Sequence, residues 1–237
     1  MLSNDRMREA ILQGVEKANR THIKWTRNCW VSDYGAEGLM HVRIAEAVYA
    51  ADPSLSVWLE ANVSELADGP VARALNRAGM TGQCRPDVCT YLPDCTVPHI
   101  IEVKRKWDTG PIGKDIERCT RLTHYLGGDD EAGLQGVFVA VFLHSTMRDR
   151  RRDFFQADGE TPADAHRKAE AQLEEKVRDA WRSADVRIAR GVQVQAQVGP
   201  EYAFKLNPDW PLEADQNFDS WRWRAAVIQF TPVPRPA

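Results

Sequence analysis

Arg85-Pro86-Asp87-Val88, followed through Pro93-Asp94-Cys95-Thr96 by Ile100-Ile101-Glu102-Val103-Lys104, is the stretch on which the reading of this chain turns. Asp87 to Leu92 and His99 to Lys104 are rich in β-favouring residues, and the turn chemistry between them predicts a hairpin. In a strand, side chains two apart share a face. Glu102 and Lys104 therefore point together, while Ile101 and Val103 enter apolar surroundings. If the hairpin pairs in this register, Asp87 joins them.

Elements predicted on either side of the hairpin outline a mixed α/β domain. Ser3 caps a first helix whose apolar positions Met7, Ala10, Ile11, Val15 and Ala18 recur every three or four residues. A connector with Trp25 and Trp30 leads to a helix over Ala36 to Ala51, stopped by Asp52-Pro53. Leu55 to Val63 reads as a strand and Gly69 to Ala78 as a short helix. Downstream, Lys114 to Leu126 is a helix closed by Gly127-Gly128. The continuous apolar run Gly136 to Leu143 suits a strand covered on both faces. Ser145 to Asp158 turns polar and reads as a loop. Thr161-Pro162 then opens a helix to about Arg182, and strands follow at Val192 to Val198, Tyr202 to Leu206 and Trp223 to Phe230.

Composition narrows the class. The 237 residues, 43% hydrophobic and 27% charged, with 15 Gly and 13 Pro, suit one large domain or one domain with an insertion, and exclude collagen-like, low-complexity and disulfide-knot chains. The formal charge of -3 provides no whole-molecule positive field, so nucleic-acid binding needs a local patch. No apolar run approaches the roughly 20 residues of a membrane span, and the first residues lack a signal-peptide core; a cytoplasmic location and no membrane partner are expected. Cys29, Cys84, Cys89, Cys95 and Cys119 form no C-x-x-C pair, so reduced, packed thiols are expected. A site built from Cys84, Cys89 and Cys95 matches no common ligand spacing.

Metal-assisted phosphodiester hydrolysis is the chemistry that uses Asp87, Glu102 and Lys104 together. Two carboxylates supply hard oxygen ligands to a Mg²⁺ that keeps several waters, one of which can act as nucleophile. The lysine orients that water or stabilises negative charge on the scissile phosphate. The acid-x-Lys pattern alone is uninformative, because eight lysines and 34 acids give about one match by chance. Context selects Glu102-Val103-Lys104 over Glu174-Glu175-Lys176, which lies in a charged helix. Pro86-Asp87 is likewise the Pro-Asp pair that opens a strand, whereas Pro93-Asp94 lies in the turn and Pro208-Asp209 in a loop. The bland alternative is an exposed trio making weak ion pairs.

With these residues the chain resembles the PD-(D/E)XK nuclease superfamily. The resemblance covers roughly Ala36 to Leu143 in element order. It implies a restriction-endonuclease-like α/β fold, a mixed β-sheet core flanked by helices with C-terminal additions. Residues 1–35 would be an N-terminal helix and connector, 36–144 the nuclease-like core and 145–237 a C-terminal extension packed on the same domain. It further implies Asp87 and Glu102 as ligands of Mg²⁺ or Mn²⁺ and Lys104 as the catalytic lysine. The substrate would be nucleic acid, DNA rather than RNA. The family often adds an acid from a preceding helix or strand; Glu37, Glu46 and Glu60 are candidates, with Glu37 and Glu60 preferred.

The helix after Lys104 has an apolar arc of Ile112, Ile116, Cys119, Leu122 and Leu126 opposite Lys114, Arg118, Arg121 and Tyr125. The cationic side either holds a phosphate beside the metal or is a solvated face balanced by Asp115 and Glu117. Two weaker signals are the Arg148 to Arg152 cluster, diluted by Asp149 and Asp153, and Trp221 and Trp223 alternating with Arg222 and Arg224. The first reads as a solvated loop and the second as core, with phosphate tracking and base stacking as the sharper alternatives. The main rival is a noncatalytic binding or regulatory module on the same fold, and a third possibility is a subunit whose partner supplies the missing basic surface; a homodimer or a partner subunit is the expected assembly.

Overall fold

The computed structural model describes residues 2–26, 36–61, 76–77, 85–94, 96–107, 109–127, 133–145, 154–157, 159–181, 191–203 and 222–233. In chain order these form α1 (Asn4–Thr26), α2 (Glu37–Ala51), β1 (Ser56–Leu59), β2 (Val88–Tyr91), β3 (His99–Lys104), α3 (Thr109–Leu126), β4 (Gly136–Ser145), α4 (Pro162–Trp181), β5 (Val192–Val198), β6 (Tyr202–Ala203) and β7 (Arg222–Pro232). The helix expected over Gly69 to Ala78 lies, apart from residues 76–77, outside the described residues. So do the Arg148 to Arg152 cluster, Trp30, Trp221, Cys29, Cys84 and Cys95.

The described strands make one mixed sheet in the order β1-β2-β3-β4-β7-β5, with β6 pairing the first residues of β7. β1, β2 and β3 form an antiparallel meander; β3 and β4 are parallel, joined through α3; β7 runs antiparallel to both β4 and β5. Helices cover both faces, so this is an α/β architecture. On one face α1 and α2 pack over Val88, Ile101, Val103, Phe138, Ala140, Phe142, Ala225 and Val227. On the other, α3 and α4 pack over Cys89, Ile100, Val137, Val139, Val141, Ala226 and Ile228. This explains the unbroken apolar run of β4, whose alternate side chains feed two different cores. The same alternation sends Ile101 and Val103 toward α1 and α2, and puts Ile100, Glu102 and Lys104 on the α3 side.

Gly14 sets the spacing of α1 and α2, because a Cβ there would lie 2.5 Å from the Ile44 Cα. That close approach settles α2 against the sheet, with Met40, His41, Ile44 and Val48 buried. Several boundaries differ from the sequence expectation: α1 runs on through Trp25, expected in the connector, β2 is shorter at both ends and β7 longer at both, and three further differences have a local cause. β1 ends at Leu59 instead of Val63, because Glu60 adopts φ 49°, a left-handed conformation that breaks the extended chain. α3 begins at Thr109 instead of Lys114, because Pro111 falls in the first turn, where the missing N–H has no intrahelical acceptor to lose. β4 continues to Ser145, its last residues pairing with the start of β7.

Trp223 is core: it stacks on Tyr202 at 4.4 Å and on Phe142 at 5.7 Å between ring centres. Cys89 and Cys119 are buried free thiols, and burial pushes both well above the usual thiol range. Among the described residues no helix is long and apolar enough to cross a membrane.

Candidate active site

The register of the β2–β3 ladder opposes Val88 to Ile101, so continuing it by one residue brings Asp87 opposite Glu102. Two hydrogen bonds anchor Asp87, and an imidazole lies beside it. Its Oδ2 accepts a hydrogen bond from the Val103 N–H at 2.6 Å. Its carbonyl accepts one from the Glu60 N–H at 3.0 Å. Its Oδ1 faces His41 Nε2 at 3.6 Å. The hairpin therefore makes Asp87 a rigid junction between the ends of β1 and β3.

Glu102 is only 3% exposed. A carboxylate so placed needs compensating charge, and α3 supplies it. Arg118 Nη2 lies 2.7 Å from Glu102 Oε2 and 2.8 Å from Asp115 Oδ1. Lys104 Nζ lies 3.2 Å from Asp115 Oδ2 and 4.0 Å from Glu102 Oε2. Five groups thus share one electrostatic neighbourhood: Asp87, Glu102 and Asp115 against Lys104 and Arg118. Fully ionised, that set carries one excess negative charge. Burial first, and then Asp87 and Asp115, push the Glu102 carboxyl up to about 7 against the opposing pull of Arg118 and Lys104. For Lys104, burial pulls the ammonium down, but Asp115 and Glu102 outweigh it and hold Lys104 above the usual lysine value.

The other expected site residues separate into groups. Glu37 stands 4.0 Å from Arg105 Nε, and Glu60 Oε1 stands 3.9 Å from His41 Nδ1. Glu46, the least favoured acid, is tied to Lys17 and Arg43 away from this cluster. The cationic side of α3 is not one surface. Lys114 is exposed, and Arg121 pairs with Glu117 at 2.6 Å along the helix. Arg118, expected with them on the side opposite the packed arc, instead reaches the sheet. Its position flanks the apolar arc, and its long side chain lets the guanidinium meet the buried carboxylate.

Two site residues escaped the sequence reading, although each carried a signal. At ~100° per residue, Asp115 falls between Leu122 and Leu126 on the apolar arc of α3, an unusual place for a carboxylate. It is 7% exposed. His41 falls beside Val48 on the buried face of α2; it is 6% exposed, and neither ring nitrogen has a hydrogen-bond partner among the described residues.

A divalent cation has donors of suitable chemistry here. Glu102 Oε1 is buried without a hydrogen-bond partner among the described residues, an arrangement that usually costs stability and invites an explanation. Asp87 and Glu102 offer hard oxygens suited to Mg²⁺ or Mn²⁺. No group of three or more His, Cys, Asp or Glu among the described residues is placed to hold a metal ion. Other chains add nothing to this assignment: no protein-family model matches the sequence, and no curated protein or solved structure matches the chain.

Proposed function

We propose that this protein is a metal-dependent nuclease of the PD-(D/E)XK type, hydrolysing phosphodiester bonds in nucleic acid, DNA rather than RNA. The observation that carries the reading is Glu102, a buried carboxylate with one orphaned oxygen, sharing its side of the sheet with Lys104 and lying opposite Asp87. The element succession α2-β1-β2-β3-α3-β4, with an antiparallel meander and a parallel crossover, supports it. This is the order that the resemblance implies for a restriction-endonuclease-like core.

In this reading Asp87 and Glu102 hold Mg²⁺ or Mn²⁺. When bound, the cation supplies Lewis acidity toward a phosphate oxygen and lowers the pKa of a water. Asp87 is kept in position by the Val103 N–H. The Lys104 ammonium, partly exposed beside Asp115 and Glu102, orients the attacking water and offsets charge that builds on the phosphate. Glu102 loses a proton more readily once a cation replaces the missing positive charge. In this reading Lys114 and Arg121 meet the phosphate backbone, with Arg105, beside Glu37, as a further cation.

A second reading has its own observation. The ring Glu102-Arg118-Asp115-Lys104 pairs its charges internally, as a noncatalytic binding or regulatory module would. One experiment separates the two: incubation of wild type and Lys104→Ala with single- and double-stranded DNA and RNA, in Mg²⁺, Mn²⁺ or EDTA. Metal-dependent cleavage lost in the variant supports the nuclease. Binding without cleavage under every condition supports the module.

A further inference from the structure

We infer that Asp115 is a positioning residue that holds the Lys104 ammonium away from Glu102 and in register with the reacting phosphate. The inference rests on the nuclease reading of the same site.

The geometry divides the work between the two oxygens of one carboxylate. Asp115 Oδ1 takes Arg118 at 2.8 Å, and Oδ2 takes Lys104 at 3.2 Å. Without Asp115, the nearest described carboxylate to Lys104 is Glu102, at 4.0 Å. A lysine stem has four rotatable carbons and a compact, strongly charged head. Left alone, it would move onto the buried carboxylate, whose Oε2 it already approaches, and away from its place beside the site. Asp115 supplies a closer partner on the helix side, so Lys104 is ordered while Glu102 Oε1 is left unpaired.

Charge bookkeeping argues against a purely structural role. Arg118 alone already neutralises Glu102 at 2.7 Å. Asp115 adds a third carboxylate to a neighbourhood that already holds Asp87 and Glu102. It does so from the apolar arc of α3, between positions filled by leucine, where a leucine would pack. A buried ion-pair network is weak evidence for stability, and apolar replacements are often neutral or better. Stability alone therefore does not call for an acid here. The order of Lys104 does.

The test uses the full chain labelled with ¹⁵N-lysine. The Lys104 ammonium signal is identified by its loss in Lys104→Ala, and its order is compared in wild type, Asp115→Asn and Asp115→Ala, each checked for an intact melting transition. The ammonium should be restricted in wild type and mobile in both variants. Cleavage should follow: Asp115→Asn lowers kcat by about ten- to a hundredfold with KM within about twofold, as expected for a misplaced catalytic group. In a Lys104→Ala background, the same substitution should change kcat no further, since the two residues act as a unit. An ammonium equally ordered without Asp115, or an equal fall in kcat in both backgrounds, overturns the assignment. If wild type cleaves no nucleic acid with either metal, the nuclease reading fails, and the ammonium order alone then decides whether Asp115 holds Lys104.

Discussion

Arg118 and Glu102 meet at 2.7 Å across the gap between α3 and β3, so a helix residue that the sequence places beside two surface cations is an internal counter-ion of the site. This pairing changes what each charged residue near the site is expected to do on substitution.

Lys104→Ala should leave the fold intact, because the side chain is 27% exposed and packs little core. Turnover should fall by about two orders of magnitude or more, the usual effect of removing a preorganised charge-stabilising donor. Single-turnover cleavage rates and a melting curve for each protein measure the two effects separately. Equal rates remove Lys104 from the mechanism.

Divalent metal should stabilise the fold. At ten times its dissociation constant, Mg²⁺ or Mn²⁺ adds roughly 1.4 kcal/mol by mass action, read as a rise in melting temperature. Glu102→Gln should shrink that rise. A wild-type melting temperature indifferent to both metals would favour the noncatalytic module.

In EDTA, Glu102→Gln should be more stable than wild type, by an amount that grows with pH. The carboxyl titrates near 4.5 when unfolded and about 7 when folded. The folded state therefore binds the extra proton, and this stabilisation is complete below the unfolded value and lost as pH rises through 7. The glutamine variant has no such loss. Denaturant unfolding between pH 5 and 8 should show the gap opening to about 2 kcal/mol. His99 has the opposite sign: burial depresses it to about 4, so its contribution is present above 6.5 and fades as pH falls. It is common to both proteins and cancels. A gap that does not change with pH contradicts the burial cost assigned to Glu102.

Arg121 and Arg118 should now behave differently. Arg121→Ala removes a surface cation, and should lower the magnitude of the log K versus log salt slope for DNA binding by roughly 0.7 to 0.9, almost equally for all sequences. Arg118→Ala strips Glu102 of its nearest counter-charge, and should cost up to about 3–5 kcal/mol of stability. Fluorescence titration in Ca²⁺, which occupies oxygen sites with less turnover, measures the first; denaturant melts measure the second. An unchanged slope for Arg121→Ala would make that face of α3 solvated surface only.

The apolar alternation of His99-Ile100-Ile101-Glu102-Val103-Lys104 determined by itself which β3 side chains share a face, because a two-residue period leaves no other choice once Ile101 and Val103 are buried. Pro86-Asp87 before a strand and a hairpin-length turn were likewise enough to bring Asp87 opposite Glu102. The helix period of α3 identified its packed arc as well. Periodicity could not say how α3 is rotated and how high it sits over β3. Those two quantities decide that Arg118 turns inward to Glu102 while Arg121 stays with Glu117, and that Asp115 meets Lys104. His41 is a similar case, since its nearness to Asp87 depends on the Gly14 contact that seats α2. The tertiary structure decides such pairings because a buried charge takes whichever partner the packing brings within about 3 Å, and that distance is set by contacts between elements far apart in the chain.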